Sequence, residues 1–134
     1  MQHYTEAVRD HFLNPRNAGV VEDPDGVGAV GDPSCGDLLR VTIRVRNDRI
    51  DEIRFQCRGC PAAIATSSAM TELAIGKTVD EAWHITDEDI EAAVGGLPPE
   101  KRHCSNLGAS ALGEAVLNYL HRCIELSLKE GASV

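Results

Sequence analysis

The sequence predicts an α+β fold in which a three-stranded antiparallel sheet is covered on one face by helices, as a two-layer sandwich. Residues 39–46 and 53–56 alternate apolar and polar side chains with a period of two, which is typical of strands that are buried on one face only. Residues 107–124 instead repeat apolar side chains every three or four positions, as an amphipathic helix does. Strands with one polar face, accompanied by such helices, indicate that the helices pack on the other face of the sheet.

The first element is a short amphipathic helix. Apolar side chains between Tyr4 and Phe12 fall on one helical face, and Asn14 ends the helix because the residue before a proline is disfavoured in the helical region. Residues 17–36 are rich in glycine and in aspartate-proline pairs. They predict a loop, one short strand at residues 27–30 and a turn that presents Cys35.

The two patterned strands come next and form a hairpin. Asn47 and Asp48 separate them, and these residue types favour the tight turns that join antiparallel neighbours. Because the side chains alternate, a single register places all the apolar ones on the helical side.

Helices occupy most of the remaining chain. Pro61 predicts the start of one helix and Gly76 its end. Two capping-type pairs then predict short helices that end before two glycines: Thr78 with Glu81, and Thr86 with Asp89. The long amphipathic helix is expected to bury Cys123 on its apolar face. We expect residues 1–134 to form a single domain.

Composition excludes several classes of function. The net charge is −8 and the basic residues are scattered, which argues against nucleic acids and anionic membranes as partners. The sequence contains no apolar run of the roughly 20 residues that a membrane-spanning helix needs, and its first residues do not resemble a signal peptide. We therefore expect a soluble, cytoplasmic protein.

The cysteines point to metal or thiol chemistry. Five cysteines are present, an odd number that disfavours a disulfide framework. Cys60 directly precedes the proline-led helix, where free N–H groups and the helix dipole stabilise a thiolate. Cys104 is expected just before the long helix, beside Lys101 and Arg102, so both thiols are predicted to ionise readily. Cys35 is expected in a turn that Gly36 allows to bend tightly.

Two neighbours extend this set. His103 adjoins Cys104, and imidazole together with thiolates suits zinc or an iron–sulfur cluster, while Asp37 could reach the same site as Cys35. Cys57 and Cys60 form a CxxC pair, so a thiol redox protein is another hypothesis. The redox hypothesis is disfavoured because no βαβ pattern surrounds the pair. In addition, Cys57 falls on the same, inward-facing side of its strand as Ile53 and Phe55, which predicts a core residue.

Four motifs occur in order along nearly the whole chain. They are Asn-Pro-Arg-Asn at residues 14–17, Gly-Asp-Pro-Ser-Cys-Gly-Asp at 31–37, Gly-Cys-Pro-Ala-Ala-Ile-Ala-Thr-Ser-Ser at 59–68, and Leu-Pro-Pro-Glu-Lys at 97–101 followed by His-Cys-Ser at 103–105. In this combination the chain resembles the IscU/NifU family of iron–sulfur cluster assembly scaffolds.

The resemblance implies a scaffold and not an enzyme. Such a scaffold builds a transient [2Fe-2S] cluster from iron and desulfurase-derived sulfur and transfers it to apo-proteins. By motif position the residues that would hold the cluster are Cys35, Cys60 and Cys104, with Asp37 or His103, and Lys101 is the basic residue beside them. The implied partners are a cysteine desulfurase and recipient proteins, with an Hsp70-type chaperone, a ferredoxin and a second copy of the chain as further candidates.

The chain departs from the family pattern at three positions. Pro61 replaces a glycine, Cys57 adds a thiol, and Glu100 stands where the IscU branch has valine, as in the NifU branch. The competing hypothesis is a zinc protein whose site combines three cysteines with a histidine or an aspartate, because the same ligands bind zinc.

Overall fold

The computed structural model describes residues 3–32 and 36–130, so Cys35 lies outside the described residues. In chain order the elements are α1 (Glu6–Leu13), β1 (Gly26–Asp32), β2 (Asp37–Arg46), β3 (Arg49–Arg58), α2 (Pro61–Ala74), α3 (Val79–Trp83), α4 (Asp87–Ala93), a 3-10 turn (Pro99–Lys101) and α5 (His103–Lys129). Within these ranges no helix combines the length and apolar character needed to cross a membrane.

The sheet is antiparallel with the strand order β1-β2-β3. Val41 of β2 lies opposite Phe55 of β3, and the inward residues of both strands are buried. Asn47 and Asp48 both have positive φ, at 53° and 65°, as the two central residues of a type I′ hairpin turn do. The predicted hairpin is therefore confirmed.

Helices cover one face of this sheet, which confirms the predicted α+β fold. The main core joins the inward strand residues to α2 and α5, and its members include Leu39, Ile43, Met70, Leu112 and Val116. α5 lies directly on β1: a Cβ atom at Gly28 would be 2.2 Å from the carbonyl oxygen of Ala111. Only glycine allows the helix backbone to approach the strand this closely.

A second core cluster holds α1 and the start of α5 against α2. It contains Val8, Val94 and Cys104 together with the small residues that α2 presents, Ala62, Ala63, Ala65 and Ala69. The hydroxyl of Thr5 donates to the carbonyl of Val94, which fastens α1 to the end of α4. This cluster sets the positions of the Cys60 and Cys104 segments relative to each other.

The short helices begin as predicted. Thr78 with Glu81 and Thr86 with Asp89 each form a complete capping box. Each box satisfies backbone N–H groups that the first turn of a helix leaves without partners.

The prediction that Cys123 is a core residue is wrong. Its side chain is exposed, as are those of Leu120 and Ile124, the latter by 58%. The buried residues of α5 end at Val116, and all residues from Leu120 to the end of the helix are exposed. The apolar periodicity of α5 continues beyond the part of the helix that packs on the sheet. Periodicity alone cannot indicate where that packing ends.

Candidate metal centre

Cys60 occupies the position directly before α2, with Pro61 as the first helical residue. Its backbone is extended, and its side chain is half-buried and makes no capping hydrogen bond. The N–H groups of the first turn therefore point toward the segment in which the sulfur lies.

α5 supplies two further side chains from its first turn. Cys104 was predicted to precede this helix, but the helix begins at His103, so Cys104 lies inside its first turn. The hydroxyl of Ser105 donates to the carbonyl of Arg102 at 2.8 Å. Cys104 is only 1% exposed, whereas His103 is half-buried at the surface.

Sulfur, nitrogen and oxygen donors from three elements meet at this end of the sheet. The Sγ atoms of Cys60 and Cys104 are 3.8 Å apart, and Cys104 Sγ is 3.7 Å from His103 Nε2. Asp37, at the start of β2, places Oδ2 at 3.9 Å from His103 Nε2. One donor atom each from Asp37, His103 and Cys104 lies within 4.8 Å of the others, a spacing that a single bound metal ion could bridge.

The Asp37 carboxylate is held in a closely fitted space. Asp37 is 5% exposed, and a Cβ atom at Gly59 would be 2.7 Å from its Oδ1. Gly59 therefore leaves the room that the carboxylate occupies. Gly59 is the first residue of the sequence motif at residues 59–68, but the motif alone did not indicate that it borders Asp37.

The electrostatics differ from the prediction at Cys104. Burial raises the pKa of the Cys104 thiol above its ordinary value, and the neighbouring Cys60 sulfur raises it further, against a smaller opposing effect of Lys101. The prediction of a readily ionised thiol is therefore wrong for Cys104 in the metal-free protein. Its burial outweighs the basic residues beside it.

Lys101 and Tyr4 flank the two sulfurs. The Cys60 sulfur is the largest cause that raises the pKa of the Lys101 ammonium, which indicates that the two groups are close. Burial raises the pKa of the Tyr4 phenol, with a further contribution from Cys60. The sequence predicted Tyr4 only as an apolar residue of the first helix, whereas it precedes α1, and no local signal could have shown that this segment reaches the centre.

Cys57 lies on the interior side of the centre. It is half-buried and packs against both core clusters, opposite Leu39 of β2. Burial raises the pKa of its thiol to about 11. A buried thiol of this kind is unreactive in the absence of a metal.

The structure thus brings together four of the five predicted ligand residues. Asp37, Cys60, His103 and Cys104 converge at one end of the sheet, and Lys101 lies beside them. Cys35, the fifth, falls outside the described residues. Two thiols, an imidazole and a carboxylate suit zinc and iron–sulfur clusters better than magnesium or calcium, which prefer oxygen ligands.

The chain is similar to known proteins over most of its length. The model of the NifU-like N-terminal domain matches residues 3–125. The chain is 55% identical over 119 residues to the iron–sulfur cluster assembly scaffold protein IscU 1 of Archaeoglobus fulgidus, an alignment that covers 89% of this chain and 78% of the relative. It is 48% identical over 123 residues to the nitrogen fixation protein NifU of Azospirillum brasilense, covering 89% of this chain but 40% of that protein.

A solved structure supports the fold. The crystal structure of the N-terminal part of a NifU-like protein from Brucella abortus superimposes with a TM-score of 0.71, covering 90% of this chain and 96% of that chain. The two sequences are 20% identical, so this likeness concerns the architecture alone.

Proposed function

We propose that this chain, which belongs to the family of NifU-like N-terminal domains, is a scaffold that assembles an iron–sulfur cluster and delivers it to recipient proteins. The relatives named as cluster assembly scaffolds support this function, since one of them is 55% identical over most of the chain. The proposed scaffold is a single domain and works in the cytoplasm, where thiols remain reduced.

One observation carries the proposal. Two cysteine sulfurs, an imidazole and a carboxylate lie at one end of the sheet, with successive donor atoms 3.7 to 3.9 Å apart. Four thiolates form the usual ligand set of a cluster that is retained, whereas a nitrogen or oxygen ligand binds iron more weakly. A mixed donor set therefore suits a cluster that has to leave.

We assign the cargo as a [2Fe-2S] cluster held by Cys35, Cys60 and Cys104. Asp37 or His103 completes the ligand set. Cys35 precedes Asp37 by two residues in the sequence, which supports its inclusion. His103 is the more exposed of the two candidates for the fourth position, so it is the group that can move away most easily when the cluster is released.

The chemistry of the centre defines its partners. Sulfur has to be supplied as a persulfide, for which we propose a cysteine desulfurase, and an electron donor has to reduce it by two electrons to sulfide. The finished cluster has to be accepted by an apo-protein that offers thiolates. An Hsp70-type chaperone and a ferredoxin are further proposed partners. The protein itself transfers a cluster and is not proposed to be an enzyme.

Anaerobic reconstitution tests this function. Purified protein is incubated with ferrous iron, sulfide and reductant, and the visible absorption of the cluster is recorded before and after addition of an apo-ferredoxin. We expect absorption to appear and then to move to the ferredoxin. Cys60→Ser and Cys104→Ser should lose nearly all of it, whereas the matched control Cys123→Ser, an exposed thiol outside the centre, should keep it.

Two results would reject the proposal. One is the absence of cluster absorption in a protein that binds zinc stoichiometrically by metal analysis. The other is a cluster that survives replacement of Cys60 and Cys104.

A further inference from the structure

The outer face of the sheet, opposite the helices, is divided into two unlike halves. The half remote from the metal centre is covered by residues 17–25, and the backbone N–H of Val21 donates to the Thr42 hydroxyl at 2.9 Å. Val21 and Thr42 are buried in consequence. No segment within residues 3–32 and 36–130 covers the half next to the metal centre, and we call this half the open face. Its exposed side chains are Leu38, Arg40, Gln56 and Arg58.

Two cations of the open face have no acidic partner among the residues that the structure describes. β2 and β3 contain six arginines. Four of them have protein acceptors: Arg44 and Arg54 face Glu52 at 3.8 and 3.2 Å, Arg46 faces Asp51 at 3.5 Å, and Arg49 donates to the carbonyl of Gly76 at 3.0 Å. Arg40 and Arg58 have no acidic or carbonyl acceptor within residues 3–32 and 36–130.

The two arginines are close enough to act together. Arg58 lies opposite Leu38 across the β2–β3 ladder, and Arg40 lies opposite Gln56. The arginines are therefore diagonal neighbours on one face, with Cα atoms about 7 Å apart. Together with Leu38 and Gln56 they line a shallow depression of about 400 Å³.

We propose that the open face docks an acidic segment of a partner protein, in which carboxylates flank an apolar side chain. Guanidinium groups bind carboxylates through paired hydrogen bonds. Leu38, directly opposite Arg58 and two residues before Arg40 on the same strand, is 48% exposed and offers an apolar contact beside both cations. The chain as a whole carries a net charge of −8, so a local pair of cations gives an acidic partner a preferred place to bind.

Nucleic acid does not fit the same surface. Its affinity rests on many phosphate contacts, and two arginines on a strongly acidic protein supply too few. A short acidic segment needs only two or three charge-assisted contacts and one apolar contact.

The location connects this surface to the metal centre. Leu38 follows Asp37 directly, and Arg58 precedes Cys60 by two residues. A protein docked on the open face would therefore lie beside the sulfurs, where it could supply sulfur or accept a cluster. This consequence rests on the proposed scaffold function, whereas the docking itself does not.

A peptide-binding experiment tests the docking. The probe is a fluorescent peptide in which glutamates flank a leucine, and its anisotropy is followed as protein is added at low and at physiological salt. We expect binding that weakens as salt rises, and a glutamine version of the peptide that does not bind. The double variant R40E/R58E should bind about tenfold more weakly or worse.

A charge-matched control separates local from global electrostatics. R46E alters an exposed arginine at the far end of β2, where its partner is Asp51. The affinity of R46E for the glutamate peptide should stay close to that of the unmodified protein, whereas that of the single variant R40E should fall. Equal losses in R46E and R40E, or equal binding of the glutamate and glutamine peptides, would overturn the proposal.

Two further measurements identify other occupants and keep the two proposals distinct. If sedimentation shows self-association that R40E/R58E abolishes, the occupant is a second copy of the chain and the proposal fails. If inorganic phosphate at millimolar concentration displaces the peptide, the occupant is a small anion and the proposal also fails. Cluster reconstitution of R40E/R58E should be normal. Loss of peptide binding with normal reconstitution leaves the scaffold function intact, and failed reconstitution of the unmodified protein would reject the scaffold and not the docking surface.

Discussion

Two histidines of this protein lie among polar groups but in different settings. His11 is buried between α1 and α2, where its Nδ1 shares a 2.8 Å hydrogen bond with the Ser68 hydroxyl, and the same hydroxyl accepts the backbone N–H of Arg16 at 2.8 Å. His103 is half-buried at the metal centre, and its Nε2 is 3.7 Å from Cys104 Sγ and 3.9 Å from Asp37 Oδ2.

The difference separates a structural network from a binding site. Nδ1 of His11 is at hydrogen-bond distance from the Ser68 hydroxyl and Nε2 faces Glu72 Oε1 at 3.5 Å, so both ring nitrogens have polar partners within the protein. The sulfur of Cys104 and the carboxylate of Asp37 lie 3.7 and 3.9 Å from His103 Nε2, and all three groups are of the types that bind zinc or iron. The first arrangement should contribute to stability and the second to metal affinity, and three predictions test this separation in order of expected effect.

The largest expected effect follows from Gly59→Ala at the metal centre. The added methyl group would lie 2.7 Å from Asp37 Oδ1 and should push the carboxylate out of place. We expect cobalt(II), titrated through its thiolate charge-transfer band, to bind about ten- to a hundredfold more weakly.

The control for this variant is Gly113→Ala. A methyl group there meets the Trp83 ring at an ordinary 3.5 Å and lies far from the centre, so cobalt affinity should not change. Unchanged affinity in Gly59→Ala would mean that Asp37 takes no part in the centre.

The second prediction compares the loss of each histidine side chain in turn. His11→Ala leaves the Ser68 hydroxyl without its imidazole partner inside the protein, so the free energy of unfolding in urea should fall by about 1 to 3 kcal/mol. His103→Ala changes a half-exposed side chain and should stay within about 0.5 kcal/mol of the unmodified protein.

Metal binding should show the reverse order. His103→Ala should weaken cobalt binding, and His11→Ala should leave it unchanged at a temperature where the variant is folded. If both variants lose stability and affinity alike, the two settings are not separate.

The smallest expected effect is a pH dependence that comes from His11. Burial is the main cause that lowers the pKa of His11, with a further contribution from the Arg16 cation, whereas Glu72 and Asp10 oppose it. The unfolded chain therefore takes up a proton near pH 6.5 that the folded protein still excludes. The free energy of unfolding should fall as the pH decreases from 7 to 5, with a slope of at most about one proton.

Urea unfolding at pH 7 and pH 5 measures this slope. The His11→Ala variant should lose most of it, and His103→Ala should keep it. Asp10, whose pKa is lowered chiefly by its hydrogen bond with Arg16, contributes only below about pH 4 and does not disturb the measurement. An undiminished slope in His11→Ala would assign the effect to other groups.

The sequence by itself determined the local elements of this protein. Period-two alternation predicted the inward face of β2 and β3, residue types at Asn47 and Asp48 predicted the hairpin turn, and Pro61 predicted the start of α2. These features depend on hydrogen bonds and side-chain directions within a few residues, which is why short patterns were enough to predict them.

Tertiary structure alone decided the distances and the burial. Asp37 and His103 are 66 positions apart in the sequence, and only the packing of α2 and α5 on the sheet brings them to 3.9 Å. The same packing buries Cys104 and so raises the pKa of a thiol that its neighbours in the sequence suggested would ionise. Cys123 stayed exposed because α5 extends beyond the layer that could cover it. The desolvation of a side chain depends on every element packed around it, and no local pattern contains that information.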